Sequence, residues 1–314
     1  MSRAFIDIGA NLTDGMFRGV YNGTERHLDD MESVLSRAME AGVMKIMVTA
    51  GTLDQSREAL DFVKDNSMLV STVGVHPTRA NEFKGDVNAH LDLLSGVIRE
   101  GGDKVVAIGE CGLDYDRTHF CSIEQQKIGY EAQFILAERF KLPLFLHNRN
   151  AAGDFVKMTS ENRGRFTSGV VHSFTGSMEE MNELLDLGLF IGINGCSLKT
   201  EENIKVASAV PLDRIMLETD SPYCEIRPSH AGFSHVQSKW PAKDKKKFEL
   251  GACVKGRCEP CHIRCVTEVV AAARGISEDQ LCEAAFNNTM KVYFPTESLE
   301  MGDCPYHTYI SGGV

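Results

Sequence analysis

The stretch KVVAIGECGLDY, residues 104–115, runs from small and β-branched residues straight into a carboxylate. Val105 to Ile108 reads as a buried strand, and Glu110 stands at its tip. An unpaired charge at such a tip would be costly to desolvate. Either Glu110 faces water, or something positive meets it. The choice depends on what else the chain brings to that place.

The same pattern recurs along the chain. The apolar runs are AFIDIG (4–9), VMKIMVTA (43–50), LVSTVGV (69–75), VVAIGE (105–110), PLFLH (143–147), GVVHSF (169–174), LFIGING (189–195) and RIMLETD (214–220). Continuous apolar runs of this length suit parallel strands buried on both faces. Helix signals lie between them. Ser122 with Gln125, Ser177 with Glu180 and Ser277 with Gln280 match capping boxes. Gly42, Gly101, Gly188 and Gly275 stand where helices would end. In the segment 125–140, Ile128, Ala132, Ile135 and Leu136 repeat at helical spacing. Eight βα units in succession predict a (β/α)8 TIM barrel. An open doubly wound sheet is the alternative, but no Gly-rich phosphate loop follows the first strand.

Residues 1–295 are expected to form a single catalytic domain. It carries one long irregular loop, 221–259, after the eighth strand; loops of that length are usually functional or mobile. Two helices, about 261–274 and 278–293, close it. The tail 296–314 has no apolar period and is expected to be loosely ordered.

Composition narrows the function. The chain has 314 residues, 43% hydrophobic and 25% charged, which is ordinary for a globular protein. No window approaches a membrane span, and the N-terminus lacks a signal peptide's features. The ten cysteines then belong in a reducing compartment as free thiols. The expected location is inside the cell, in the nucleus or the cytoplasm, and the expected state is a monomer. The net charge of −11 argues against a protein that coats DNA by charge alone. Contact with nucleic acid has to be local or helped by bound cations.

The strand ends carry the chemistry. The third run ends at His76, the fourth at Glu110, the fifth at His147 and the eighth at Asp220, while the sixth contains His172. In a barrel these ends converge on one face, where active sites lie. A single histidine at a strand end is more often a hydrogen-bonded structural residue. Four ligand-type residues at four tips are a different matter. Glu110, His147, His172 and Asp220 form a divalent-metal constellation. A cation there would answer the charge on Glu110.

The motifs GVHP (74–77), GECGLDY (109–115), LHNR (146–149), HSFTG (172–176) and ETDSPY (218–223) resemble those of the TatD family of metal-dependent deoxyribonucleases. The likeness covers roughly residues 5 to 294 and is fuller for the family's eukaryotic branch. It implies a barrel of the amidohydrolase type, divalent cations and phosphodiester hydrolysis on DNA. Glu110, His147, His172 and Asp220 fall on the family's metal ligands. His76 falls on a residue near the substrate phosphate, and Arg257 with Glu259-Pro260 resembles an Arg-x-Glu-Pro motif, so that His76, Arg149 and Arg257 are expected to bind substrate. The implied mechanism has two cations bridged by Glu110, with Asp220 as ligand and proton acceptor. Glu218 orients its neighbours, and His76 and Arg149 stabilise charge on the phosphate.

One segment departs from the pattern. Many relatives end the first strand with His-x-His, where this chain has Asp7-Ile-Gly-Ala-Asn11. Losing two nitrogen donors favours Mg2+ or Mn2+ over tightly held Zn2+, which stays an alternative. Two further features invite a reading. Cys253, Cys258, Cys261 and Cys265 lack the paired spacing of a zinc knot and suit packed thiols better. The Lys-rich run SKWPAKDKKKF (238–248) is either solvated surface or a grip on a phosphate backbone with Trp240 stacking a base. Two other functions fit the same barrel: an amidohydrolase or esterase acting on a small substrate, and a binding protein without catalysis.

Overall fold

The computed structural model describes residues 3–299. The expectation for the tail therefore lies, from residue 300 on, outside the described residues. The eight predicted strands are all present: β1 (Phe5–Ala10), β2 (Val43–Val48), β3 (Leu69–Val73), β4 (Val105–Asp114), β5 (Leu144–Arg149), β6 (Gly169–Val171), β7 (Phe190–Ile193) and β8 (Ile215–Leu217). They form one sheet in which each strand neighbours the next in sequence. The first and last strands are joined as well. Asp220 N–H donates to Gly9 O at 2.7 Å and Asn11 N–H to Ser221 O at 2.7 Å, a parallel bridge. A sheet whose ends meet is a barrel, so the TIM-barrel expectation holds and the open sheet does not.

The chain divides into two compact units: the chain up to Ile46 with Ile193–Met290, and Met47–Gly192 with Lys291–Pro295. The second unit holds β3 to β6 and the helices α2 (Leu53–Val63), α3 (Val87–Gly101), α4 (Ile123–Phe140), α5 (Ala152–Glu161) and α6 (Met178–Asp186), numbered after α1 (Met31–Glu40) of the first unit. The caps behave as predicted. Ser122 Oγ accepts from Gln125 N–H, and Ser177 with Glu180 makes a full capping box. Gly42 and Gly188 end their helices at φ +94° and +74°. Gly101 instead keeps an ordinary helical φ, and Gly102 takes the positive φ, +50°.

The buried face of α4 differs from the predicted one. Ile128 is exposed, whereas Gln126 and Gln133 are buried. The reason is backbone satisfaction. Gln126 accepts the N–H of Asp114 at 2.8 Å and donates to its carbonyl at 2.8 Å. Gln133 does the same for Val75, at 2.8 and 2.9 Å. These two side chains, two helical turns apart, fix the end of β4 and the residue before His76.

The glycines around Glu110 bring β4 and β5 close. Gly109 and Gly112 have φ of +148° and +144°. A Cβ on Gly112 would sit 1.9 Å from the carbonyl oxygen of His147, and one on Gly109 2.2 Å from that of Phe145. In the ladder Gly112 pairs with His147. Only residues without a side chain let the backbone of His147 lie this near Glu110.

The first unit is held by a buried ion cluster. The loop 221–259 carries Arg257, which is fully buried. Its guanidinium donates to Asp30 at 2.7 and 2.6 Å and to Glu259 at 2.9 Å. Arg37, from α1, adds a two-point pair with Glu259 at 2.8 and 3.1 Å. Two arginines and two acids balance one another, and the long loop is anchored to α1 through them. The loop also contains short two-residue strands, Ala242–Lys243 and Cys253–Val254, that pair in parallel. Helices α7 (Glu201–Ala209), α8 (Ile263–Arg274) and α9 (Glu278–Tyr293) complete the helical set, the last two as predicted within two residues.

Removing one member of the cluster leaves a buried charge short of a partner. Asp30→Ala is expected to lower the unfolding free energy by about 3–5 kcal/mol. Urea denaturation followed by circular dichroism measures it. Breaking the exposed Lys64–Asp61 pair should move the midpoint far less.

Candidate metal centre

The site grows from four strand ends of the second unit. Glu110 lies inside β4, which runs on to Asp114, and its N–H is bonded to Ala50 O at 2.8 Å, just past β2. His76 follows β3 and its N–H bonds to Gly51 O at 3.0 Å. His147 lies within β5, and His172 continues β6 with its N–H on Leu146 O at 2.9 Å. Each ligand-type residue is thus tied by its own backbone to the neighbouring strand end. Three of these side chains then aim at one atom of the fourth.

Oε1 of Glu110 lies 2.7 Å from His147 Nδ1 and 2.8 Å from His172 Nε2. His76 Nε2 is 3.4 Å from the same oxygen. The partners of the Glu110 carboxylate are therefore a ring of imidazoles. Burial alone would push the Glu110 carboxyl up. The neighbouring His172 and His76, with hydrogen bonds from His147 and His172, instead hold it well below the usual carboxylate range.

The imidazoles have defined roles. Nδ1 of His76 accepts the Thr78 N–H at 3.1 Å and faces the Thr78 hydroxyl at 2.7 Å. That leaves its proton on Nε2, toward Glu110. Burial pushes the pKa of His76 down to about 3, against the pull of Glu110, so this ring stays neutral. His147 lies between two acids, with Nε2 3.2 Å from Asp114 Oδ2.

Asp114 is the residue the sequence reading did not single out. It sits in the quoted stretch, four residues beyond Glu110. On an extended strand that spacing returns to the same face, and this was the available signal. Burial would raise its carboxyl, but His147 and the nearby arginines lower it. Arg117 Nε and Arg149 Nη1 lie 3.7 and 3.9 Å from it.

The cluster suits a cation. Glu110, His147 and His172 offer three ligand atoms within 4.8 Å of one another, and so do His76, Asp114 and His147. His147 Nδ1 and His172 Nε2 are 3.4 Å apart. Two nitrogens sharing a tetrahedral cation at about 2.0–2.1 Å would be about 3.3–3.4 Å apart. Asp114 on the far nitrogen of His147 is the carboxylate–histidine arrangement that orients such ligands.

The first unit holds the other predicted residues. Asp220 follows β8 with φ +51°, a conformation that costs energy in a residue with a side chain. Asn11 Nδ2 donates to its Oδ1 at 3.0 Å and the Cys224 thiol to its Oδ2 at 3.2 Å. Asp7 is fully buried, and burial pushes its carboxyl up to about 7. Its oxygens accept from the Thr219 hydroxyl at 2.6 Å and the Thr219 N–H at 3.0 Å. Asp7 joins β1 to the strand-eight segment and Asn11 braces Asp220. Glu218 is fully buried and accepts from Asn194 Nδ2 at 3.5 Å.

Two expectations change. Arg257 was expected to bind substrate, but it is fully buried and its guanidinium is committed to Asp30 and Glu259. It anchors the loop instead. The base-stacking role for Trp240 does not fit its packing. It lies against Cys253 and Cys261, with its ring edge-on to His262 at 5.0 Å.

The family model described as TatD related DNase matches residues 6–294. The chain belongs to the TatD-related DNase family. Deoxyribonuclease Tat-D of Schizosaccharomyces pombe is 44% identical over 300 residues, 93% of this chain and 96% of that one. The 3'-5' ssDNA/RNA exonuclease TatD of Erwinia tasmaniensis is 32% identical and covers 91% of this chain and 98% of its own. The crystal structure of a hydrolase TatD family protein from Entamoeba histolytica superposes with a TM-score of 0.89 at 38% identity, covering 94% of this chain and all of that one. The TatD fold implies use of a divalent metal, and the donor set around Glu110 is suited to one. Among the described residues no helix is long and apolar enough to cross a membrane.

Asp114→Asn keeps the shape of the side chain but weakens its hold on His147. It is expected to lower Mn2+ affinity by about 10–100-fold, the usual effect of losing a partner of a ligand histidine. Isothermal titration of the protein with Mn2+ measures this directly.

Proposed function

We propose that this chain is a divalent-metal-dependent deoxyribonuclease that hydrolyses phosphodiester bonds, taking two Mg2+ or Mn2+ ions at Glu110, His147, His172 and Asp220. One observation carries the proposal: two imidazoles from neighbouring parallel strands meet a single carboxylate oxygen at 2.7 and 2.8 Å, in a chain of the TatD family. Beyond the imidazoles the donors are carboxylate oxygens, which suits harder cations. The names of its relatives support nucleic acid as the substrate.

A bound divalent cation supplies charge to the phosphoryl oxygens and makes water a better nucleophile. The chain's own residues do the rest. Glu110 gathers His147 and His172 into one donor set, and Asp114 holds the His147 ring in place. His76 presents an Nε2 proton and stays neutral, so it donates to a phosphate oxygen without giving the proton up. Arg149 keeps 35% of its side chain exposed and offers a planar donor pair to the same group. Asp220 is assigned the proton of the attacking water, because it ends a barrel strand and matches the family's ETDSPY motif. Its carboxylate already accepts from Asn11 and Cys224, which would orient it for that task.

Chelated protein is expected to leave a labelled single-stranded DNA intact, with cleavage restored by Mg2+ or Mn2+. Cleavage by metal-free protein would refute the metal mechanism. Turnover of bis-p-nitrophenyl phosphate against p-nitrophenyl esters separates the nuclease from an esterase. At saturating Mn2+, Asp220→Asn should stay about 10²-fold or more below the wild type, the scale of losing a general base. His147→Ala should recover part of its rate as Mn2+ is raised, since it acts through metal affinity. Full recovery of Asp220→Asn at high Mn2+ would reduce Asp220 to a ligand.

The Lys-rich run is proposed to grip the DNA backbone through Lys246 and Lys247, which are exposed. Lys243 is paired with Glu249 at 2.8 Å, and Lys245 lies over the Tyr21 ring at 4.7 Å. Replacing Lys246 and Lys247 by Ala should flatten the salt dependence of single-strand binding by about 1.4 in log–log slope, at about 0.7 per contact. Turnover of the small phosphodiester should not change.

A further inference from the structure

A second reactive constellation lies in the long loop of the first unit. Cys253 occupies one of the two-residue strands, and Cys261 and His262 the 3-10 turn Pro260–His262 just before α8. Their sulfur and nitrogen atoms lie within 4.8 Å of one another. Both thiols are buried, at 2% and 0% exposure. The nuclease reading uses none of the three.

The hydrogen bonds decide what this group can do. The backbone N–H of Glu259 donates to His262 Nδ1 at 3.1 Å. In a neutral ring the proton is then on Nε2, and His262 is a donor there. A metal would need that lone pair, with a proton donated from Nδ1. The arrangement is the reverse of a zinc ligand's. It suits a negative sulfur instead. The Cys261 thiol donates to Glu259 Oε2 at 4.0 Å, and His262 lies beside the Cys253 sulfur. The neighbouring Cys261 and His262 outweigh burial and bring the Cys253 thiol down to about 6. Burial and the neighbouring Cys253 push Cys261 well up. Of the pair, Cys261 has a carboxylate acceptor for its proton, which leaves Cys253 as the sulfur beside His262.

Access is asymmetric too. A cavity of about 560 Å³ is lined by Cys253, Cys258, Cys265, Trp240 and His262, but not by Cys261. Cys258 and Cys265 face the same space in the opposite state: burial pushes Cys258 well up and Cys265 up to about 12. Nucleophilicity follows the thiolate. Four thiols line this cavity, and Cys224 is pushed up like Cys258 and Cys265, so Cys253 alone is lowered, with Cys261 behind it.

We propose that Cys253 is an oxidative modification site, a nucleophilic thiolate that takes hydroperoxides through this cavity and ends as a disulfide with Cys261. The Cys253 sulfur attacks the terminal oxygen of the hydroperoxide. The O–O bond breaks, Cys253 becomes a sulfenic acid, and the departing alkoxide takes a proton from solvent to leave as the alcohol. The Cys261 sulfur then attacks the Cys253 sulfur. The S–S bond forms, the S–O bond breaks, and the hydroxide takes the Cys261 proton and leaves as water. Two thiols lose two electrons and the hydroperoxide gains them.

The test uses the full chain. Iodoacetamide labelling of the native wild type, read by peptide mass spectrometry, should modify Cys253 at least about 10-fold faster than Cys258 or Cys265, as thiolate fraction dictates. Treatment with tert-butyl hydroperoxide should give a Cys253–Cys261 linked peptide under non-reducing digestion. In Cys261→Ser the reaction should stop at a sulfenic acid on Cys253, trapped by dimedone. In Cys253→Ser the linked peptide and the trapped adduct should both vanish. Equal labelling of Cys253 and Cys258 would overturn the proposal, and so would a disulfide formed between other cysteines. Titration with Cd2+ adds the remaining outcome. A thiolate–metal absorption band lost in Cys253→Ser would make this a metal site instead. The wild-type labelling ratio needs no variant, so it stands even if a serine substitution impairs folding.

Discussion

The site depends on one largely enclosed charge. Glu110 lies within a strand in a place where a lone carboxylate would be costly, and two imidazoles meet one of its oxygens within 2.8 Å. Without them the charge would have no compensation inside the barrel's second unit. Without the charge, three histidines would crowd together with nothing to order them. The attraction holds His147 and His172 facing one carboxylate oxygen.

That charge can be placed only because the backbone around it has no side chains. Gly109 and Gly112 stand where a Cβ would strike β5. Gln126 and Gln133 then secure the adjoining strand ends from α4. The same division of labour recurs in the first unit. Asp7 commits its carboxylate to Thr219, and Arg257 commits its guanidinium to Asp30 and Glu259. These residues are polar and charged, yet they hold the structure and do not face a substrate. Residue type alone does not separate the two uses. A functional group in this fold is one whose polar atoms are gathered on a shared point, as at Glu110. A structural one has its polar atoms committed pairwise to backbone or counter-ion.

The cysteines show the same rule. In a zinc knot, spacing and ligand geometry agree. Here the Cys253–Cys265 spacing is irregular, and the Glu259 N–H on His262 Nδ1 fixes the wrong tautomer for a metal. A thiol pair is what remains. Its chemistry follows from which sulfur has donors, a property of three dimensions.

The chain's eight apolar runs, its caps and its helix-ending glycines determined the barrel, because strand and helix periods are local properties of sequence. Strand-end position also marked Glu110, His147, His172 and Asp220 as candidate ligands, since a barrel collects its strand ends on one face. What the sequence could not determine was which polar groups are already satisfied. Arg257 looked like a phosphate ligand until its counter-ions were seen. Asp114 drew no notice until it was found on His147. Trp240 looked exposed within a lysine run until it was found packed on Cys253 and Cys261. In each case the deciding contact joins residues apart in the chain, 227 positions for Asp30 and Arg257 and 33 for Asp114 and His147. Hydrogen bonds and desolvation act over a few ångströms of space, so only the folded chain decides which side chains they reach.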